Sequence, residues 1–139
     1  MLLKSIVFDA LEAFRDNDFQ AVAAWFTDEV LYVSKAVNEH QGDQHGFARL
    51  LGSYTVMGQQ QALSAMQLFS RDFRFERYEV IDVIADESKA ATRCSWRVRA
   101  HADNSTTDGE SYQWWYFQGN RIDRVETIAF YQRRIGAVT

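Results

Sequence analysis

The N-terminal half of the chain places its apolar side chains at helical spacing. Residues 2–15 carry apolar positions three and four residues apart, which predicts an amphipathic helix. Residues 19–26 repeat this spacing after Asp18, whose carboxylate can cap a second helix. Residues 30–34 are rich in strand-forming side chains and predict a short strand. After a polar loop, residues 47–57 return to helical spacing and predict a third helix.

The second half of the chain changes to the alternation that is typical of strands. Beyond Arg71, apolar positions recur at every second residue, and residues 73–84 and 90–102 predict two long strands. A turn at Asp86-Glu87-Ser88 separates them. Upstream of these strands, residues 62–69 leave two interpretations open, a helix or an irregular cover.

The last segment predicts a β-hairpin with arms over residues 111–118 and 121–131 and a tight turn at Gly119-Asn120. Both of its faces are apolar, whereas a strand with one wet face alternates apolar and polar residues. We expect helices to cover one face and a second subunit to cover the other. On the first arm, the pattern places Trp115 and Phe117 on one face and Tyr112, Trp114 and Tyr116 on the other. On the second arm, it places Val125, Ala129 and Tyr131 on one face and Ile122, Ile128 and Phe130 on the other.

Helices followed by a run of antiparallel strands indicate an α+β fold in a single domain over residues 1–139. Long strands twist and curl, so we predict a curved antiparallel (mixed) sheet wrapped around three N-terminal helices. A curled sheet that helices close makes a conical pocket, and such pockets bind small molecules.

Composition narrows the function classes. Hydrophobic residues make up 47% of the chain and the net charge is −4, which fits a packed core and gives no basic face for nucleic acid. The single cysteine, Cys94, excludes an intramolecular disulfide and favours a cytoplasmic location. The N-terminal segment is apolar only at helical spacing and carries Asp9 and Glu12 within it, so neither a signal peptide nor membrane insertion is expected. The histidines lack a recognised metal spacing, and we predict neither metal nor cofactor.

Four segments carry a resemblance to a known superfamily: DNDF between the first two helices, FTDEVLYVS, residues 42–51, and the closing WWYFQGNRIDRVETIAFY. With the order of elements, they resemble the nuclear-transport-factor-2-like superfamily in its SnoaL-like (polyketide cyclase-like) branch. The resemblance covers nearly the whole chain and implies a cone-shaped, cystatin-like roll. It implies no single activity, because this fold hosts isomerases, dehydratases, cyclases, hydrolases and pure binding modules.

The resemblance identifies positions where relatives carry acid/base groups. Ketosteroid-isomerase-like enzymes use a carboxylate, a tyrosine and a protonated aspartic acid, and Ser34, Ala10 and Gln113 occupy the matching positions. SnoaL-type cyclases use an aspartate on the last strand, where this chain has Thr127. Neither Ser34 nor Thr127 is an effective acid/base near neutral pH.

Epoxide-hydrolase-like relatives add a Tyr-x-Asn and an Arg-x-Asp motif. Tyr32-Val33-Ser34 keeps only the tyrosine, and Arg99-Ala100-His101 makes His101 a candidate substitute base. If Arg99 and His101 faced the pocket, Trp96 could not. Because buried arginines are costly without partners, we favour the register with Trp96 inward.

Three hypotheses follow for function. The first is a homodimer, formed through the outer sheet face, that binds a small hydrophobic molecule in its pocket. The second is an isomerase, cyclase or epoxide hydrolase with a non-standard acid/base such as His101, and the third is a protein-interaction module with a filled cavity. The candidate ligand-binding residues are Tyr32, Ser34, Tyr54, Trp96, Gln113, Trp115 and Thr127.

Overall fold

The computed structural model of the protein describes residues 2–38 and 53–134. Within these ranges, three helices pack on one face of a six-stranded sheet with the order β2-β1-β6-β5-β4-β3. The β1–β6 pair is parallel, and every other neighbouring pair is antiparallel. The elements are α1 (Leu2–Arg15), α2 (Phe19–Ala24), β1 (Phe26–Asn38), β2 (Tyr54–Met57), α3 (Gln59–Asp72), β3 (Phe73–Ala85), β4 (Lys89–Ala100), β5 (Thr106–Gln118) and β6 (Arg121–Arg134).

The two N-terminal helices follow the predicted pattern. Leu3, Val7 and Leu11 are buried on one side of α1, and the Asp18 carboxylate accepts a hydrogen bond from the Ala21 backbone N–H at the start of α2. Asn17 lies between the helices with φ +59°, a left-handed conformation that asparagine tolerates better than most residues. The α2 helix ends at Ala24, and the first strand begins earlier than predicted.

The prediction of a third helix over residues 47–57 is wrong for the part of this range that the structure describes. Tyr54–Met57 forms β2, antiparallel to β1, because alternate side chains of this segment face the core and suit an extended backbone. The helix begins only after Gly58, whose φ of +104° suits glycine. The helical interpretation of residues 62–69 is confirmed by α3, and residues 47–52 lie outside the described ranges.

The mixed α+β architecture is confirmed, with the helices packed against one face of the sheet, which we call the concave face. Its main core joins α1 and α2 to Val30, Trp115 and Val125 of the sheet. None of the described helices is long and apolar enough to cross a membrane.

The hairpin forms as predicted, with Gly119 at φ +60° in its turn, but one residue changes face. A register shift between Tyr116 and Phe117 puts two residues of β6 opposite one step of β5. Such a bulge reverses the alternation of the strand. Ile122 is therefore buried with Val125 in the core, and its predicted grouping with the outer residues is wrong.

Strand β4 adopts the favoured register. Cys94, Trp96, Val98 and Ala100 are buried, whereas its arginines lie on the outer face of the sheet. These arginines pair with carboxylates of neighbouring strands, which meets the cost of keeping them against the sheet. The pairs are Arg93 with Glu110 at 2.7 Å, Arg97 with Asp108 at 2.5 Å and Arg99 with Glu76 at 2.6 Å.

Gly109 makes room for the Trp96 indole, which lies opposite it on β4. A Cβ at position 109 would lie 2.5 Å from two indole carbons and 2.7 Å from the Phe130 carbonyl oxygen. The backbone oxygen cannot move without disturbing the β5–β6 ladder, so the position excludes any side chain.

We expect Gly109→Ala to lower the free energy of unfolding by about 2 kcal/mol through overpacking, measured by urea denaturation. Gly119→Ala is the comparison variant, because its Cβ would meet nothing within 4 Å and only its positive φ opposes the change. Its expected loss is about 1 kcal/mol. Adding Trp96→Phe to Gly109→Ala should recover part of the loss, and equal losses in the two glycine variants would contradict this account.

A neutral cavity on the concave face of the sheet

The concave face is organised in rows that cross the strands, because register places side chains of neighbouring strands side by side. One of these rows, which we call the polar row, carries a hydroxyl or an amide at each position from β2 to β4. Its members, in the order of the strands, are Tyr54, Ser34, Thr127, Gln113 and Thr92.

Next to the polar row lies a row of short side chains, Ala36, Ala129, Ser111 and Cys94. Beyond it stand large side chains, Tyr131 on β6 and Trp96 on β4. On the other side of the polar row, the Tyr32, Val125 and Trp115 row is again bulky. The bulky side chains on the two sides extend to the helices, whereas the short side chains between them do not. The short side chains therefore leave space in an otherwise close-packed interior.

This space is a cavity of about 80 Å³, counted as volume open to the centre of a water molecule. One water needs about 10–15 Å³ on this measure, so the cavity has room for several waters or for a small organic molecule. Helix residues Ala10, Leu11 and Phe14 close it from above. All the candidate ligand-binding residues lie in its lining: Tyr32, Ser34, Tyr54, Trp96, Gln113, Trp115 and Thr127.

A chain of hydrogen bonds fixes the Gln113 amide within the polar row. The Trp115 indole N–H can only donate, and it donates to the Thr92 hydroxyl oxygen at 3.0 Å. The Thr92 hydroxyl in turn donates to Oε1 of Gln113 at 2.5 Å. Gln113 therefore directs its oxygen toward β4, and its Nε2 amide group has no acceptor among the described residues.

Solved structures share the fold of this chain. An NTF2-like protein of unknown function from Burkholderia pseudomallei matches with a TM-score of 0.71 and 15% identity, over 91% of this chain and 89% of that chain. A candidate polyketide cyclase from Pseudomonas putida matches with a TM-score of 0.67 and 19% identity, over 91% and 90%. An LEH-like epoxide hydrolase from M. tuberculosis matches with a TM-score of 0.68 and 13% identity, over 94% and 83%.

The chain has the nuclear-transport-factor-2-like fold. The fold that the resemblance implied is thus confirmed. The sequence matches no protein-family model and no curated protein. Because the sequence identity to these solved structures is so low, the likeness shows the fold alone. The chemistry has to be argued from the residues that line the cavity.

The tyrosines of the cavity stay protonated at neutral pH. Tyr32 and Tyr54 stack with ring centroids 5.5 Å apart and share a hydrogen bond. Burial raises the pKa of both hydroxyls, and that of Tyr54 well above 10.0. Burial also raises the pKa of Tyr78 well above 10.0, with a further contribution from neighbouring Cys94.

The described lining of the cavity lacks the groups that usually carry acid/base or metal chemistry. Within the part of the chain that the structure describes, no Asp, Glu, His, Lys or Arg lines it. Nowhere in residues 2–38 and 53–134 do three or more His, Cys, Asp or Glu side chains gather as a metal ion would need. What the lining offers is apolar surface, neutral hydroxyls and one amide.

The structure does not bring His101, the candidate substitute base, to the cavity. Its backbone N–H donates to the Asp72 carbonyl at 2.9 Å, which holds it in the exposed turn after β4. Its Nε2 atom lies 3.3 Å from the Ser70 carbonyl oxygen. Arg99 is on the outer face with Glu76, so the Arg-x-His segment cannot serve the pocket.

Several contributors to the cavity were missing from the candidate residues, Thr92 and Tyr78 among them. Thr92 holds Gln113, and Tyr78 lines the wall. The alternation of β4 already placed Thr92 in phase with Trp96 on the inner face, but only the register with β5 reveals its partner. Tyr78 follows a register shift in β3, which the pattern does not announce.

The buried Cys94 thiol predicts a loss of stability at high pH. Burial raises its pKa from 9.0 to about 11, partly opposed by the hydrogen bond with Tyr78. The folded state therefore holds the thiol proton more tightly, and this contribution is present below pH 9 and lost as the pH rises to about 11. We expect the stability of the wild-type protein relative to Cys94→Ala to fall by about 2 kcal/mol over this range. Urea denaturation of both proteins at several pH values tests this, and parallel pH profiles would contradict it.

Proposed function

We propose that this protein binds a small, uncharged, largely apolar molecule in the cavity on the concave face. The observation that carries the proposal is the chemistry of the described lining, which combines apolar surface with hydroxyls and an amide and contains no side chain that is charged at neutral pH. Ligand sites in proteins have this character, mostly apolar with a few placed polar groups. A charged ligand would lose its hydration there without gaining a counter-ion.

The same lining gives the enzyme hypothesis less support. A general base works best with a pKa near the working pH, whereas burial raises the pKa of Tyr32, Tyr54 and Tyr78 away from it. Ser34, Gln113 and Thr127 stand where acid/base carboxylates are expected by resemblance, and none of the three is ionisable near neutral pH.

The interaction-module hypothesis required a cavity plugged by its own aromatic residues. Trp96, Trp115 and Tyr54 line the cavity, but about 80 Å³ remains between them. That volume favours a bound small molecule over a filled, vestigial pocket. The cytoplasmic location that the single cysteine favours stays a prediction.

The test compares ligands of one shape and different charge. We expect cyclohexanone to bind at least tenfold more tightly than cyclohexanecarboxylate or cyclohexylammonium, because the cavity offers no counter-charge. Binding is followed by calorimetry and by the fluorescence of Trp96 and Trp115. Ala129→Phe should abolish it by filling the row of short side chains, whereas Ala24→Phe on the exposed side of α2 should not. Equal affinity for the charged compounds, or full binding by Ala129→Phe, would refute the proposal.

We also propose that two copies associate through the outer face of the sheet. Trp114 and Tyr116 are 45% and 37% exposed there, beside the edge-to-face pair of Tyr112 and Phe130. On this face the arginines of β4 form a basic line along their strand, and Glu110 and Asp108 form an acidic line along the neighbouring strand β5. A twofold axis that runs parallel to the strands between these two lines would set the basic line of one copy against the acidic line of the other, which suits a self-complementary interface.

For this interface we expect Trp114→Glu to convert a dimer to a monomer at micromolar concentration, because it places a carboxylate in the apolar centre of the contact. Leu2→Glu is the control, since Leu2 is also exposed but belongs to α1. Sedimentation velocity reports the state of each protein. A monomeric wild-type protein at this concentration would overturn the proposed dimer.

A further inference from the structure

Three polar groups of the polar row have no hydrogen-bond partner in the described protein. They are Nε2 of Gln113 and the hydroxyls of Thr127 and Ser34, and all three residues line the cavity. Gln113 is only 6% exposed, so its unused N–H groups cannot reach bulk solvent easily. Buried polar groups usually have a partner, and a molecule in the cavity can supply one for the Gln113 amide as well as for the half-buried hydroxyls of Thr127 and Ser34.

The three groups lie on neighbouring strands. Register pairs Gln113 with Thr127 across β5 and β6, and Thr127 with Ser34 across β6 and β1. Neighbouring strands are separated by about 4.8 Å, so the groups form a line whose steps match the width of a small ring. One molecule lying along this line can contact more than one of them.

The character of each group is set by its surroundings. Because Thr92 occupies Oε1 of Gln113, the amide can offer only donors to the cavity. The Thr127 and Ser34 hydroxyls can donate or accept. Tyr54, the next member of the row, already shares a hydrogen bond with Tyr32. One end of the line therefore requires an acceptor oxygen, and the other end takes either a carbonyl or a hydroxyl.

We propose that the preferred ligands are compact, uncharged molecules with two oxygen functions on opposite sides of a small carbon skeleton. A carbonyl or ether oxygen accepts from Nε2 of Gln113, and the second oxygen function contacts the Thr127 and Ser34 hydroxyls. The carbon skeleton lies over Ala129 and Ser111, where the short side chains leave space. This inference rests on the proposed binding function and specifies its ligand class.

The inference is tested with three cyclic probes of similar size: cyclohexane-1,4-dione, cyclohexanone and cyclohexene, which carry two, one and no oxygen functions. Each hydrogen bond gained should strengthen binding about fivefold, so the dissociation constants should increase in that order. Calorimetry with the full-length protein measures them.

Variants assign the two ends of the ligand. Thr127→Val and Ser34→Ala, singly and together, should remove the advantage of the dione over cyclohexanone. Gln113→Met should weaken both ketones by about fivefold and leave cyclohexene unchanged. Thr55→Val, on the exposed side of β2, controls for the loss of a threonine hydroxyl. Thermal unfolding of each variant shows whether it is folded before its binding is compared.

The outcomes separate this inference from the proposed function. If the three probes bind equally and Ala129→Phe still abolishes their binding, the cavity takes neutral molecules but the polar row does not select them, and the inference is overturned. Unchanged selectivity in the folded Thr127→Val, Ser34→Ala double variant would overturn it as well. If none of the probes binds, the proposed function fails and the inference fails with it.

Discussion

The cross-strand register of β5 with its neighbours is the constraint on which the rest of the site depends. It places Gln113 between Thr92 and Thr127, and Gly109 between Trp96 and Tyr131. A slip by one residue would exchange the two faces and put Trp114 and Tyr116 under the helices. The Gly119 turn and the bulge beside it set this register from one end, and the exclusion of a side chain at Gly109 sets it near the other.

The sequence was a good guide wherever a local rule applied. Helical spacing located α1, and alternation located β4 and, despite two register shifts, β3, because each signal is repeated several times along its element. The cost of burying arginine was sufficient to choose the inner face of β4. The short segment at Tyr54 misled the prediction, because four residues hold too few repeats to distinguish a helix from a strand that becomes stable by pairing with β1.

The candidate site shows where sequence reasoning stops. The lining residues could be named, since the alternation of a strand states which side chains share a face. Their partners could not be, because Thr92 and Gln113 are far apart in the chain and meet only through register. His101 shares the alternation phase of Arg99, so the register that turns Trp96 inward directs it away from the cavity, and the strand ends at Ala100 before reaching it.

The row of short side chains has a consequence for how such a protein can change over evolution. The space for a ligand is set by the row of short side chains, whereas the groups that recognise the ligand belong to the polar row. A substitution at Ala36, Ala129 or Ser111 therefore alters how much space a ligand has while the polar row keeps its geometry. Conversely, an exchange among residues of similar volume in the polar row alters what is recognised without refilling the space. Ligand size and functional-group preference can therefore change nearly independently, and related proteins with this sheet can alter one by substitution while keeping the other.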